Sequence, residues 1–316
     1  MTVGTRVRGF LRRKGDDTRR RMPLRKRVFL YTVSAVLALW LVGPVLWIFN
    51  ASFQLDNELF SIPPHWIPHN PTLDNYIYVI TRVPPPTYEF TAGVQMGRKA
   101  SGEALAAIPA LKNSLIVSGA TMLLSIVISV LAAYSFSRLK FRGRDLSFTF
   151  VMLTRLIPPI AVAIPFFVII DRLGLLDTYL ALILVYLAFT LPFTLWFMTK
   201  YFDFMPADLE DAAMVDGCTR FQCLLRVVIP VVAPGIAATG AFAFMNAYSE
   251  FLFAVFLTKT MASKTVPVVL TAAAINYDVS YALASTAVVL AIVPPILFAL
   301  VFRNYITSSL SMAFGK

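Results

Sequence analysis

The chain has 316 residues, of which 58% are hydrophobic and only 14% charged, with a mean hydropathy of +0.72 and a formal net charge of +11. Its apolar residues gather in runs of about twenty, enough to cross a hydrocarbon layer of roughly 30 Å, which excludes a water-soluble globule and predicts an all-α polytopic membrane protein. The positive charge sits in a tail and in short loops beside the apolar runs, so it does not call for nucleic acid.

Residues 1–27 form a basic tail with eleven Lys and Arg. Such runs stay on the cytoplasmic side and suit contact with anionic lipid headgroups. The apolar run behind the tail is too long for a cleavable signal and lacks a small-residue cleavage site, so residues 28–53 are read as an uncleaved first span. Residues 54–112 form an external loop containing Pro-Pro-His-Trp-Ile-Pro-His-Asn-Pro, the run Pro84-Pro85-Pro86 and a short helical piece over 102–111. His65 and His69 are four residues apart, but Pro68 argues against a shared helical face. No carboxylate or Cys stands beside them, so a metal site there is a weak reading. Tyr76, Tyr78 and Tyr88 are read as packing at the membrane edge, with a sugar- or partner-accepting surface as the alternative.

Residues 113–303 form the core, with five further spans expected near 115–136, 146–170, 179–198, 232–257 and 281–302. Asn113 and Ser114 are read as the opening of the second span. Pro158, Pro159, Pro165, Pro192, Pro294 and Pro295 break backbone ladders inside spans, as moving parts or as packing kinks. Gly235 and Gly240 permit close helix contact. Residues 304–316 form a short cytoplasmic tail. With both termini inside, 20 of the 28 Lys and Arg fall in inner segments and seven in outer ones. That bias supports six spans in this orientation.

Between the fourth and fifth spans lies the cytoplasmic loop 201–230. Its residues 206–230 read PADLEDAAMVDGCTRFQCLLRVVIP. Pro206 suits a helix start, and Asp208, Glu210 and Asp211 suit the positive end of the helix dipole. Gly217 supplies a stop or sharp turn, and a second helical run follows over 219–228. Helix, Gly turn and helix, held by a span at each end, suit a mechanical contact with a partner. Cys218 and Cys223 are read as free cytoplasmic thiols.

No phosphate loop, nucleophile elbow, HExxH or dinucleotide fingerprint occurs in the chain. It is therefore read as non-catalytic, with no cofactor or metal of its own; uphill transport would draw its energy from an ion gradient or a separate ATPase. The spans hold few acidic groups, which argues against a proton relay. Arg155, about nine residues into the third span, either lines a cavity or snorkels and pairs structurally. An ion-coupled secondary transporter and a non-transporting scaffold remain the alternatives.

The polar loop carries a resemblance. Asp211-Ala212-Ala213, three residues, Gly217, nine residues, Val227, one residue and Ile229-Pro230 resemble the loop of ABC importer permeases that reads Glu-Ala-Ala, three residues, Gly, nine residues, Ile, one residue, Leu-Pro. The departures at 211, 227 and 229 are conservative. Asp216-Gly217 is similar to the Asp-Gly of the carbohydrate (maltose-type) branch. The Ala-Ala-Tyr at 132–134, with Ser-Arg and Phe-Arg-Gly-Arg after it, also resembles the family. So does Asn246-Ala247-Tyr248-Ser249-Glu250-Phe251, which is similar to a Trp-Asn-Glu-Phe run of sugar permeases. The resemblance implies the type I importer permease fold with six transmembrane helices. It implies that Glu210, Asp211, Ala212, Ala213, Asp216 and Gly217 couple to an ATPase. It also implies a substrate pathway containing Asn246, Tyr248 and Glu250, to which the residue reading adds Arg155; for Glu250 a helix–helix hydrogen bond is the alternative. The implied partners are a second permease subunit, two ABC ATPase subunits carrying ATP and Mg, an external solute-binding protein and a small-molecule solute. Sugar is the expected solute, with polyol or glycerol phosphate as the alternative.

Overall fold

In the computed structural model of the protein, residues 23–63, 65–86, 88, 101–275 and 280–314 are described. The expected basic tail falls almost wholly outside these residues, as do the last two residues of the C-terminal tail. Among the described residues every regular element is helical. Both cysteines are free.

The chain divides into two compact units, residues 1–49 and 50–316. The first contains most of α1 (Leu24–Ala51). This helix is apolar on all sides, with none of its residues buried before Ala51, as expected of a span that meets lipid or another subunit around its circumference.

The second unit opens with two short helices, α2 (Asp56–Leu59) and α3 (Asp74–Thr81), followed by α4 (Ser101–Ala104). Asn75 holds this segment together by donating from Nδ2 to the carbonyls of Ser52 and Gln54 at 3.0 and 2.7 Å. Tyr76 bonds Ser52 through its hydroxyl, and Tyr78 is buried against the Tyr88 ring, so these tyrosines pack internally. The next helix, α5 (Ala107–Arg138), starts earlier than expected and absorbs the second half of the piece assigned to 102–111, whose first residues fall in α4. Asn113 is therefore mid-helix rather than a start. Its Nδ2 donates to the carbonyls of Met261 and Lys264, and its Oδ1 accepts from the Tyr179 hydroxyl at 2.7 Å.

The span expected over 146–170 is broken. α6 (Arg144–Leu153) ends in a 3₁₀ turn, Thr154–Leu156, and α7 (Pro159–Arg172) leaves at 100° to it. The cause is the proline pair. Pro158 holds Ile157 in extended backbone, and Pro159 restarts the helix at a first-turn position where its missing N–H costs nothing. Among the described residues, five helices are long and apolar enough to span a membrane, and the spans number up to six if this bent pair counts as one.

Helix α8 (Tyr179–Phe204) packs along α5. After α9 (Asp208–Val215) and α10 (Arg220–Cys223), a π turn over Leu224–Val228 leads into α11 (Ile229–Tyr248). Pro230 has no N–H to give and crowds the carbonyl four residues back, and the helix widens just ahead of it. α11 crosses α5, α8 and α14. Its small residues allow this: a Cβ on Gly235 would lie 2.5 Å from the Tyr201 ring, and one on Gly240 2.8 Å from Ile126 Cδ1.

The fifth span ends at Tyr248 rather than near 257, and the chain restarts as α12 (Leu252–Leu257). The loop expected to be external contains α13 (Val266–Ile275), and α14 (Tyr281–Phe314) runs on through the segment expected as a tail. Two apolar clusters line the bundle. One gathers Val117, Leu182, Val185, Tyr186, Phe253 and Leu257; the other gathers Val130, Tyr134, Met198, Phe202, Leu224 and Val228.

Asp177 clasps the turn before α8 to the loop after α12. It occupies left-handed backbone at φ 61°. Its carboxylate accepts from the backbone N–H groups of Lys259 and Thr260 and from the hydroxyls of Thr260 and Ser263. Partial burial raises its pKa, but these four donors outweigh that and hold the carboxyl at about 2. Its folded value is below the unfolded one of about 3.9. The clasp is therefore fully present above about pH 4 and is lost as pH falls towards 2. Asp177→Asn is expected to lower stability in detergent by about 1 kcal/mol at neutral pH, the low end for bonds to a charged group that is partly solvated. Thermal melts of both proteins from pH 7 to pH 2 check this, and the gap between them closes as pH falls.

Candidate functional site

Two places stand out: the turn around α9, and a cavity between the broken helices. At the first, α9 carries Asp208, Glu210 and Asp211 in its first turn, where carboxylates complement exposed backbone N–H groups. Its C-terminus closes in a Schellman motif. The Cys218 N–H donates to the Ala213 carbonyl at 3.0 Å, and the Gly217 N–H donates to the Met214 carbonyl at 3.1 Å. Gly217 has φ +89°, and a Cβ there would meet nothing within 4 Å. Glycine is needed for its backbone conformation and not for space. Thr219 then caps α10 in a capping box, with Gln222 N–H donating to Thr219 Oγ1 and Thr219 N–H to Gln222 Oε1.

Glu210 turns inward. It is 5% exposed and accepts from Arg138 Nε at 2.5 Å and from the Tyr134 hydroxyl at 3.1 Å. The same guanidinium donates to the Met205 carbonyl at 2.8 Å. Ala213 is also buried, in the cluster with Cys223 and Leu224. Of the six residues singled out in this loop, Asp211, Ala212, Asp216 and Gly217 are on the exposed surface, whereas Glu210 and Ala213 bind the helix to the bundle. The exposed face also presents Leu209 and Val215, the latter 87% exposed. Sequence reasoning missed the clamp partners Tyr134 and Arg138. They are four apart on one face of α5, a spacing that was available as a signal.

The second place is a cavity of about 310 Å³ lined by Arg155, Tyr186, Phe189, Thr190, Asn246 and Glu250, with Ile157, Pro159, Ala247 and Phe253. Three of the four residues proposed for a substrate pathway meet here. Tyr248 does not: it is buried and donates from its hydroxyl to the Ala291 carbonyl at 2.8 Å, which ties α11 to α14. Arg155 stands in the 3₁₀ turn at the bend, where Nη1 donates to the Phe189 carbonyl at 2.9 Å and the guanidinium lies 5.9 Å from the Phe193 ring centroid. Glu250 occupies the break between α11 and α12. Its two oxygens accept from the N–H groups of Phe253 and Ala254 at 2.9 and 3.2 Å. The N–H groups at the start of α12 thus steady this carboxylate, and no cation among the described residues pairs with it. Tyr186 and Thr190 were not foreseen; they sit in an apolar run of α8 that carries no site pattern. The Tyr186 hydroxyl is buried beside the Glu250 carboxylate and the Thr265 hydroxyl.

Residues 125–312 match the family described as binding-protein-dependent transport system inner membrane component. The chain is 32% identical over 287 residues to the trehalose/maltose transport system permease protein of Thermococcus litoralis, covering 90% of this chain and 95% of the relative. It is 33% identical to the sulfoquinovosyl glycerol transport system permease protein of Agrobacterium fabrum, covering 85% and 86%. It is 32% identical to the trehalose transport system permease protein of Mycobacterium tuberculosis, covering 89% and 96%. In fold it resembles a chain from the crystal structure of a bacterial ABC transporter involved in the import of the acidic polysaccharide alginate. The TM-score is 0.70 at 21% identity, over 90% of this chain and 98% of that one. With its bundle of apolar helices and the α9 turn between two of them, the chain belongs to the binding-protein-dependent inner membrane components, the non-catalytic, multi-pass permease subunits of ABC importers.

Proposed function

We propose that this permease carries a sugar or sugar-like solute through a pathway that includes the 310 Å³ cavity, driven by ATP hydrolysed with Mg in a separate subunit pair. The observation that carries the reading is α9: a short capped helix, clamped to the bundle on one face and presenting Leu209, Asp211, Ala212, Val215 and Asp216 on the other. Such a face suits a cleft in an ATPase, with apolar anchors and charges that fix register. The relatives named for trehalose and maltose support the choice of solute. A second permease subunit completes the pathway, and two ATPase subunits and an external solute-binding protein complete the complex. The bias of Lys and Arg supports a cytoplasmic position for α9 and both termini.

In this reading, closure of the ATPase pair pushes α9. Because Glu210 is bonded to Arg138 and Tyr134, the push passes to α5 and, through the Gly217 turn, to α11. The cavity then alternates between the two sides of the membrane. Thr190, Asn246 and Tyr186 offer neutral partners for hydroxyl groups. Arg155 offers a cation, which favours a second reading in which the solute carries an anionic or phosphate substituent.

The test is reconstitution with the ATPase and binding protein in proteoliposomes, comparing disaccharides with glycerol phosphate. Solute-stimulated ATPase activity and uptake are expected with one class, and uptake without ATP hydrolysis would overturn the reading. Gly217→Val forces a β-branched residue into left-handed backbone at a cost of roughly 1–2 kcal/mol. It is expected to lower coupled ATPase activity about tenfold while leaving membrane insertion intact, whereas Gly217→Asn retains most of it. Arg155→Ala and Glu250→Ala are expected to weaken apparent solute affinity in the uptake assay; unchanged affinity in both would remove the cavity from the pathway. Arg138→Ala leaves Glu210 buried without its cation and is expected to cost about 3 kcal/mol, read as a lowered melting temperature of the purified subunit.

A further inference from the structure

Glu58, His65 and His69 form a cluster apart from both the cavity and α9. Glu58 ends in α2, and the two histidines stand on the proline-bounded turn that follows. In sequence they lie seven and eleven positions after the carboxylate, so no local motif pairs them. In the fold their ligand atoms all lie within 4.8 Å of one another. His65 Nδ1 is 3.9 Å and His69 Nδ1 3.5 Å from Glu58 Oε1. A tetrahedral ion with bonds of about 2.0–2.1 Å sets its ligands about 3.4 Å apart. The two measured edges lie within about half an ångström of that value. The imidazole rings are 4.1 Å apart between centroids and tilted by 52°.

Two further observations point to an occupant. His65 Nδ1 is sealed from solvent and has no hydrogen-bond partner among the described residues. An orphaned buried ring nitrogen is uncommon and calls for an explanation. Glu58 Oε1 is held between the rings by the backbone N–H of His69, the kind of orienting bond that supports a ligating carboxylate. The scaffold is pinned at both ends: Asp56 accepts from the Ala282 N–H at 3.0 Å, and the Thr72 N–H donates to the Phe53 carbonyl at 2.9 Å.

We propose that Glu58, His65 and His69 bind one divalent transition-metal ion, Zn²⁺ by preference. Two imidazoles and one carboxylate suit a borderline ion, whereas Ca²⁺ and Mg²⁺ require a shell of oxygens. The fourth position opens beside His69, whose side chain is 66% exposed and offers the entry path. The ion staples α2 to the turn over 61–70. That turn presents Ile62, Trp66 and Ile67 at the surface, so the metal sets the shape of this apolar crest.

The experiment uses the full chain in detergent, freed of its affinity tag and of metal, and titrated with ZnCl₂ at neutral pH. One saturable equivalent is expected by calorimetry, with Co²⁺ giving the visible absorption of a tetrahedral site. His65→Ala, His69→Ala and Glu58→Gln are each expected to weaken binding at least tenfold. The chain has only two histidines, so a readout without any variant exists. Zn²⁺ should protect both from carbethoxylation in the unmutated protein. Absence of a saturable equivalent, or equal modification with and without Zn²⁺, overturns the site. So does binding that survives in the His65→Ala/His69→Ala double variant, which would move it to groups such as Cys218 and Cys223.

Discussion

The buried ion pair between Arg138 and Glu210 joins the end of α5 to α9, and the seating of α9 on the bundle depends on it. Burying two charges costs desolvation that Coulomb attraction alone does not reliably offset. Here each partner has further bonds. Glu210 also accepts from Tyr134, and Arg138 also donates to the Met205 carbonyl at the end of α8. Three helix ends are thereby fixed to one another through the single Arg138 guanidinium. The Schellman turn and the capping box then fix α9 to α10 without any side chain that needs to reach far. A helix held in this way is fixed to the bundle along one face and at its C-terminal turn.

The charged residues at membrane depth follow a second rule. Both Arg155 and Glu250 stand where a helix is interrupted. A broken helix inside a membrane leaves backbone groups that need partners, and the same groups can satisfy a charged side chain. Glu250 takes the free N–H groups of α12, and Arg155 gives to a carbonyl of α8. The proline pair that bends α6 away from α7 also brings the guanidinium to the cavity wall. Interruption and polarity are thus one structural solution, and the cavity lies where it operates. At the ends of the bundle, Asn113 and Asp177 perform an analogous service. Each satisfies several loop groups with one polar side chain, so the loops need little apolar core of their own.

The apolar runs, the basic loops and the spacing from Asp211 to Pro230 were legible in the sequence because each rests on local chemistry. Twenty apolar residues span a bilayer whatever surrounds them, and glycine at 217 takes left-handed backbone whatever it touches. The breaks were half legible. Pro158 and Pro159 announced an interruption, but not a bend of 100°. The restart after Tyr248 depends on a carboxylate cap that no periodicity reveals.

What only the tertiary structure decided is which side chains meet. Glu210 reads as one of three similar acids in a first turn, and only the approach of α5 makes it the buried partner of Arg138. Asn246 and Tyr248 are two residues apart on α11, so the helical turn sends one to the cavity and the other to Ala291. His65 and His69 lacked a carboxylate in sequence and gained Glu58 only when the chain folded back. The physical reason is common to all three. Helix propensity and membrane partition act over a few residues or a single run, whereas pairing of charges and ligands depends on distances between segments that local chemistry does not set.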